Sequence, residues 1–208
     1  MVKCMIFVKR RSELDRAAFQ AWWRERQCPL TLKVPGLRGH TMSFEADGED
    51  GMFDGVAELW FDDIAAAEAG FASPEGQASA AEAKAHLARR ELLYVTEHKF
   101  VNTGKPSAFK LVALLKRRKD LTRAEFKAWW LERHAPLVVV FPELTRYQVD
   151  LVEEGPEGIG DGIAEVSFAS LESLKRITSS KQVKDAQQDS VVHTDWRFRM
   201  LVEEHRVF

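Results

Sequence analysis

The sequence predicts an α+β fold made of two copies of a βαββαβ unit. At an offset of 107 residues, 2–101 aligns with 109–208 without a gap, and about 30 of the 100 aligned positions are identical. Each copy alternates short apolar runs with segments of helical periodicity. A turn-rich segment separates the copies. We therefore predict repeat one at 1–101, a linker at 102–107 and repeat two at 108–208, because a duplicated unit of ~100 residues is typical of two small domains.

In the second copy, 110–117 is an apolar run flanked by basic residues, which predicts a buried strand. A helix follows, because Thr122 with Glu125 three residues later has the pattern of a capping box. Aromatic side chains then recur at helical spacing, giving one apolar face. We expect Pro136 to bend or end this helix near Ala135.

The rest of the second copy supplies three strands and one helix. The predicted strands cover 145–152, 161–168 and 198–207, and Leu171, Leu174 and Ile177 mark the helix. A single sheet with two helices on one face leaves its other face bare, so the economical arrangement packs that face against its copy. We therefore expect a pseudo-dimer within one chain, with both sheets sharing a barrel-like core. A further homodimer is left open.

Composition and charge exclude several classes of function. The chain of 208 residues carries 30 basic and 32 acidic side chains, for a formal net charge of −2. Nucleic-acid binders usually carry a basic excess, so this balance argues against such a partner. The two cysteines, Cys4 and Cys28, form no Cys-x-x-Cys pair, which favours a reducing cytoplasm. No stretch approaches the ~18 apolar residues of a membrane span, so we expect a cytoplasmic protein with no membrane partner.

Four segments of the second copy resemble the EthD domain. They are Leu114-Leu115-Lys116-Arg117, Leu121-Thr122-x-x-Glu125-Phe126-x-x-Trp129-Trp130-x-x-Arg133-His134-Ala135-Pro136-Leu137, Asp161-Gly162-Ile163-Ala164-Glu165 and Val202-Glu203-Glu204-His205. The resemblance covers repeat two and, more weakly, repeat one. It implies the ferredoxin-like fold of the dimeric α+β barrel superfamily, here with fusion in place of homodimerisation. That superfamily includes cofactor-free oxygenases, polyketide cyclases, haem-degrading enzymes and muconolactone-type isomerases, so fold analogy selects no reaction.

His134 is the main candidate for catalysis. It follows Trp130 by four residues and so shares a helix face with an aromatic ring. A histidine with a pKa of ~6.5 can act as a general acid or base at neutral pH. The resemblance supports this role, because the His-Ala-Pro element is a family hallmark. Gln27 occupies the aligned position in repeat one, which predicts a degenerate site there. The alternative is that His134 only caps the end of its helix.

Other polar residues are candidates for supporting roles. Glu165 lies in the middle of a half-apolar strand, and an ion pair with Arg133 or Arg199 is its structural interpretation. His205 could complete a pocket with His134, although both repeats retain this histidine. Tyr147 offers a hydroxyl to a substrate.

Phe126 and Trp130 are the candidate substrate-binding residues, because their rings could stack on an apolar molecule. No histidine spacing indicates a metal site, and we expect no cofactor, although one histidine could hold haem. The leading hypothesis is a cofactor-independent enzyme that uses acid–base chemistry on a small aromatic, polyketide-like or other apolar metabolite, with its pocket near His134. Cyclisation, dehydration, isomerisation, lyase and cofactor-free oxygenase reactions all remain open. The alternative hypothesis is a non-catalytic binding or accessory protein.

Overall fold

The computed structural model describes residues 1–46, 48, 51–105, 107, 109–152 and 157–208. These residues fall into unit 1, Met1–Tyr94 with Glu204–Phe208, and unit 2, Val95–Glu203. Of the predicted linker, Pro106 lies outside the described residues, as does Ala108, where predicted repeat two begins. None of the described helices is both long and apolar enough to cross a lipid bilayer.

Unit 1 contains repeat one almost entirely. Its strand order is β4-β1-β3-β2, the antiparallel order of a ferredoxin-like fold. A π-helical turn at Trp23–Gln27 joins its first two helices. The elements are β1 (Val2–Arg10), α1 (Arg16–Trp22), α2 (Cys28–Thr31), β2 (Gly39–Glu45), β3 (Gly55–Phe61), α3 (Ile64–Ala72), α4 (Pro74–His86) and β4 (Leu87–Asn102), whose second half belongs to unit 2.

Unit 2 repeats this pattern with the order β8-β5-β7-β6. The end of β4, from Thr96 to Asn102, pairs with β6. A second π-helical turn, Trp130–His134, joins α5 to α6. The elements are β5 (Phe109–Arg117), α5 (Arg123–Trp129), α6 (Ala135–Val139), β6 (Leu144–Leu151), β7 (Gly162–Phe168), α7 (Leu171–Thr178), α8 (Lys181–His193) and β8 (Thr194–Arg206).

The α+β class with two ferredoxin-like βαββαβ repeats is confirmed, and the four predicted strands of repeat two appear within a few residues of their expected bounds. The capping box is present too, since Thr122 and Glu125 satisfy each other's backbone N–H groups. The second helix of the repeat is a pair, however. α7 ends at Thr178 and α8 starts behind the N-cap Ser180, whose hydroxyl accepts a hydrogen bond from the N–H of Val183.

Of the two outcomes expected at Pro136, bending or ending the helix, the ending is wrong. The chain stays helical through α6, and the N–H of Ala135 bonds to the carbonyl of Trp130, five residues back. A proline ring clashes with the carbonyl four residues earlier and lacks an N–H of its own. One wider, π-helical turn relieves the clash without stopping the helix. The same turn occurs before Pro29 in unit 1.

A tryptophan packs directly on a glycine of the sheet in each unit. A Cβ added to Gly162 would lie 2.6 Å from a ring carbon of Trp130, and one added to Gly55 would lie 2.6 Å from a ring carbon of Trp23. Both indoles are buried, with Trp130 at 0% and Trp23 at 3% exposure. The Asp-Gly-x-Ala-Glu element found in both repeats therefore needs glycine for close helix–sheet contact.

This contact generates a stability prediction. We expect Gly162→Ala to lower the free energy of unfolding by about 1–3 kcal/mol, because the added methyl overpacks the indole of Trp130. Urea denaturation measures the change. In a Trp130→Leu background the smaller side chain leaves room for the methyl, so the two penalties should be less than additive. Full additivity would contradict the contact.

Candidate active site

His134 is the last residue of the second π-helical turn, and its side chain bonds to a helix that lies far away in the sequence. The ring Nδ1 lies 2.8 Å from Oδ2 of Asp189 on α8. The ring is mostly buried, with 8% of the residue exposed. Because an ionised carboxylate only accepts hydrogen bonds, Nδ1 carries the proton, and the Nε2 lone pair is left available.

Asp189 belongs to a cluster that both repeats retain. Its Oδ2 also accepts a hydrogen bond from Nε1 of Trp129 at 3.0 Å, and His193 stacks on that indole with ring centroids 4.5 Å apart. In unit 1, Nε1 of Trp22 donates to Glu82 at 2.8 Å. The stacked ring there is that of His86, 4.6 Å away. The acid, the tryptophan and the stacked histidine are therefore common to both repeats. His134 occurs only in repeat two.

Gln27 takes a different set of partners at the equivalent place in unit 1. Its Nε2 donates to Oγ of Ser79 at 2.8 Å and to the Ser79 carbonyl at 3.2 Å. Glu82 instead pairs with Nε of Arg26 at 3.3 Å. The amide thus lacks both the acid partner and a titratable proton, which is the difference that the sequence comparison anticipated.

Two opposing effects set the protonation of His134. Burial lowers its pKa, since the cation loses hydration, while the hydrogen bond and charge of Asp189 raise it. Electrostatic interaction with His193 and Arg199 lowers it further. Burial dominates, so the pKa lies below its ordinary value and the ring is a neutral base near pH 7.

A cavity of about 110 Å³ lies beside His134, between the sheet and the helices of unit 2. Trp130, Ala164 and Val166 contribute apolar walls, and Arg197 and Arg199 contribute positive charge. Arg197 Nη1 donates to Oγ of Ser190 at 2.7 Å. This site combines one neutral base with two cations.

A larger cavity than the one beside His134 lies in unit 1, although the sequence analysis placed the pocket near His134. Its volume is about 440 Å³. Several equivalent lining positions carry smaller side chains than in unit 2, which contributes to the difference in volume. Those on or near the helices include Val34 for Phe141, Gly76 for Val183 and Ala80 for Gln187.

Glu165 faces away from the His134 cavity. Its oxygens contact Nζ of Lys110 and, at 2.8 Å, Nε2 of Gln148. The cavity is lined by Ala164 and Val166, and successive side chains of a strand point to opposite faces. Strand register brings Lys110 to this carboxylate, whereas the sequence analysis expected Arg133 or Arg199.

His205 and Tyr147 do not line the cavity of His134. His205 lies in unit 1, edge-on to Phe44 at 5.3 Å, with its Nε2 3.5 Å from Nη2 of Arg24. The Tyr147 side chain is fully buried, and its hydroxyl accepts a hydrogen bond from Nε1 of Trp130 at 3.4 Å. Tyr147 is thus connected to the cavity of His134 by its hydrogen bond with Trp130 and does not line the cavity itself.

Of the two candidate substrate-binding residues, one lines the cavity of His134 and the other does not. Trp130 lines the cavity, with its ring 6.3 Å from that of His134 in an edge-on arrangement. Phe126 packs against Trp129 and Trp130 and lines a different cavity of about 210 Å³ with Arg123 and Lys127. Only Trp130 is thus positioned to touch a molecule beside His134.

Sequence reasoning missed Asp189 and the two arginines. The signal was available in part, because Arg197 aligns with Arg90 and Asp189 with the acidic Glu82 at the offset of the repeat. Arg90 likewise lines the cavity of its own unit. A charge retained at the same strand position in both copies indicates a common task better than a lone charge does.

The dyad generates a titration prediction. Asp189→Asn removes the charge that raises the pKa of His134, so we expect this pKa to fall further when it is followed by NMR of the ring protons. Asp185→Asn removes an exposed carboxylate from the same helix and is the control, with no change expected. A rise in the Asp189→Asn variant would refute the assigned hydrogen bond.

His40, in the cavity of unit 1, generates a second prediction. Burial lowers its pKa from 6.5 to about 4, so its contribution to stability is complete above about pH 6.5 and is lost as the pH falls towards 4. The loss is about 3 kcal/mol. His40→Tyr, the residue of repeat two, should flatten the pH dependence of the unfolding free energy between pH 4 and 7. An unchanged slope would show that His40 is not held neutral.

Comparison with solved structures shows the fold over the whole chain. An anthrone oxidase-like protein is 10% identical with a TM-score of 0.73, covering 99% of this chain and 92% of that one. A protein of Lactobacillus acidophilus NCFM, provisionally named a monooxygenase, is 9% identical with a TM-score of 0.57, covering 98% and 92%. At these identities the likeness shows a shared fold and nothing of the reaction.

Family comparison is more specific. A protein of the ethyl tert-butyl ether degradation (EthD) family from Bacillus halodurans C-125 is 26% identical, covers 45% of this chain and 95% of that one, and has a TM-score of 0.37. No curated protein matches the chain. The family model described as the EthD domain matches twice, at residues 11–91 and 118–195. The chain therefore belongs to the EthD family and carries the domain in tandem.

Proposed function

We propose that unit 2 catalyses proton transfer on a small organic anion, with His134 as the general base. The observation that carries the proposal is the 2.8 Å hydrogen bond from His134 Nδ1 to Asp189, which fixes the ring with Nε2 free to take a proton. A carboxylate that orients a histidine in this way also stabilises the imidazolium formed on proton transfer.

The positive side of the cavity suggests the class of substrate. Arg197 and Arg199 line the same cavity as His134, and guanidinium groups bind carboxylates and enolates well. A substrate with an acidic C–H next to a carbonyl, and with a carboxylate, suits this arrangement. The small cavity favours a compact molecule, and Trp130 supplies an apolar wall.

The chemical step needs only residues of this chain. His134 Nε2 takes the proton from carbon, the C–H electron pair forms the C=C bond of an enolate, and the carbonyl electron pair moves to oxygen. Arg199 or Arg197 stabilises the oxygen that becomes negative. Return of the proton to another carbon gives isomerisation, and expulsion of a neighbouring leaving group gives elimination. No organic cofactor is required for either outcome.

Exchange of substrate protons with solvent tests this proposal directly. In D₂O, the protein should accelerate loss of the α-proton NMR signals of small 2-oxo acids and 1,3-dicarbonyl acids. His134→Gln, which installs the residue of repeat one, should reduce the rate at least ~100-fold, in the range typical of general-base removal. At low substrate concentration, where the rate reports the free protein, it should rise with pH as His134 loses its proton, with a midpoint below 6.5, its ordinary pKa.

His98→Gln is the matched control, because it removes a histidine of β4 that does not line the cavity. Its exchange rate should equal that of the parent protein. Undiminished exchange by His134→Gln, or no acceleration for any compound in the panel, would count against the proposal.

A further inference from the structure

We propose that the cavity of unit 1 is a separate binding site for an apolar organic anion with hydroxyl groups. Arg90 holds the anionic group, and the hydroxyls donate to His40 Nε2 and Gln27 Oε1. This goes beyond the function proposed for unit 2, since neither His134 nor its cavity takes part.

The volume and lining of the cavity favour a small molecule. About 440 Å³ is within the range of sites that hold small ligands. Most of the wall is apolar, formed by side chains from the sheet, from α3 and from α4, with Trp22 and Trp23 among them. These apolar side chains would contact the apolar part of the ligand, and the few polar groups of the cavity would orient it.

Arg90 is the first of these groups. Its guanidinium lines the cavity and makes no hydrogen bond or ion pair with the residues that the structure describes. The residue is exposed, so the cation is hydrated, and it has no acidic partner in the described part of the chain. Arg197, at the same place in unit 2, is bonded to Ser190. A carboxylate or phenolate on the ligand would supply what Arg90 lacks.

Gln27 presents an acceptor. Its Nε2 donates to the backbone carbonyl of Ser79, and a carbonyl can only accept, so the orientation of the amide is fixed. Oε1 is then left buried with no hydrogen-bond partner in the described part of the chain. The residue is 8% exposed and lines the cavity.

His40 presents a second acceptor. Its Nδ1 donates to the carbonyl of Glu58 at 3.3 Å, which leaves the lone pair of Nε2 unused. That atom is buried, with no partner among the described residues, and the residue is 1% exposed. Burial holds its pKa at about 4, so Nε2 accepts rather than donates near pH 7. Buried polar atoms are rarely left unpaired, so two in one cavity point to a ligand with donors.

A series of naphthalene compounds tests each part of the proposal. The probe is 3,5-dihydroxy-2-naphthoic acid, with its amide lacking the charge and 2-naphthoic acid lacking the hydroxyls. Calorimetric titration of the full chain at pH 7.5 should give the probe a Kd below about 1 mM. The amide should bind at least about tenfold more weakly, as expected for loss of a charge-assisted hydrogen bond, and 2-naphthoic acid should also bind more weakly than the probe.

Variants assign the effects to residues. Arg90→Met should abolish the preference for the acid over its amide, and Arg197→Met, the equivalent change in unit 2, should leave it intact. His40→Phe combined with Gln27→Met should remove the advantage of the probe over 2-naphthoic acid. His134→Gln should not affect binding, so failure of this proposal and failure of proton transfer are distinguishable.

Three results would overturn the site. The first is that no member of the series binds, and the second is that the acid and its amide bind equally well. The third is that Arg197→Met loses binding while Arg90→Met retains it. Circular dichroism checks that each variant is folded. Should the double variant not fold, the comparison of the probe with 2-naphthoic acid on the unaltered protein decides the role of the hydroxyls, and equal affinity rejects it.

Discussion

The indole that lies on a glycine of the sheet fixes the first helix of each repeat. The helix lies close to the strands because each indole packs on a residue that has no side chain. Trp130 packs on Gly162, and Trp23 packs on Gly55. The π-helical turn starts at this tryptophan and ends two residues before the next proline. The close approach thus places His134 at the end of the turn, where its ring meets Asp189 of α8.

On the two proposals made above, the same scaffold serves two kinds of site. In unit 2, His134 is hydrogen-bonded to Asp189, whose acidic character both repeats retain. Val183 and Gln187 of α8 leave little volume beside this histidine. Unit 1 has glycine and alanine at the equivalent positions, Gly76 and Ala80, and therefore a cavity about four times as large. Unit 2 has His134 beside a small cavity, and unit 1 has a large cavity with Gln27 at the position of His134. The two copies of the repeat have thus diverged in complementary ways.

The fold followed from the sequence because each of its signals is local or periodic. Strands, the Thr122 capping box and the duplication need only neighbouring residues or a constant offset. The site depends on contacts across the fold, and these were not predicted. Asp189 lies 55 residues from His134, and strand register selected Lys110 as the partner of Glu165. Pro136 was expected to bend or end the helix because the pattern of residues does not distinguish a helix end from a widened turn.

Electrostatics links the proposed base to its proposed substrate. Burial lowers the pKa of His134, as do His193 and Arg199, against the effect of Asp189, so the ring is a weak base before substrate binds. An anion bound beside the arginines would offset their positive charge and raise the pKa of the ring. The base would then be strongest when the substrate is present. A neutral substrate of the same shape would gain no such effect, so the arginines would select for anions in the chemical step as well as in binding.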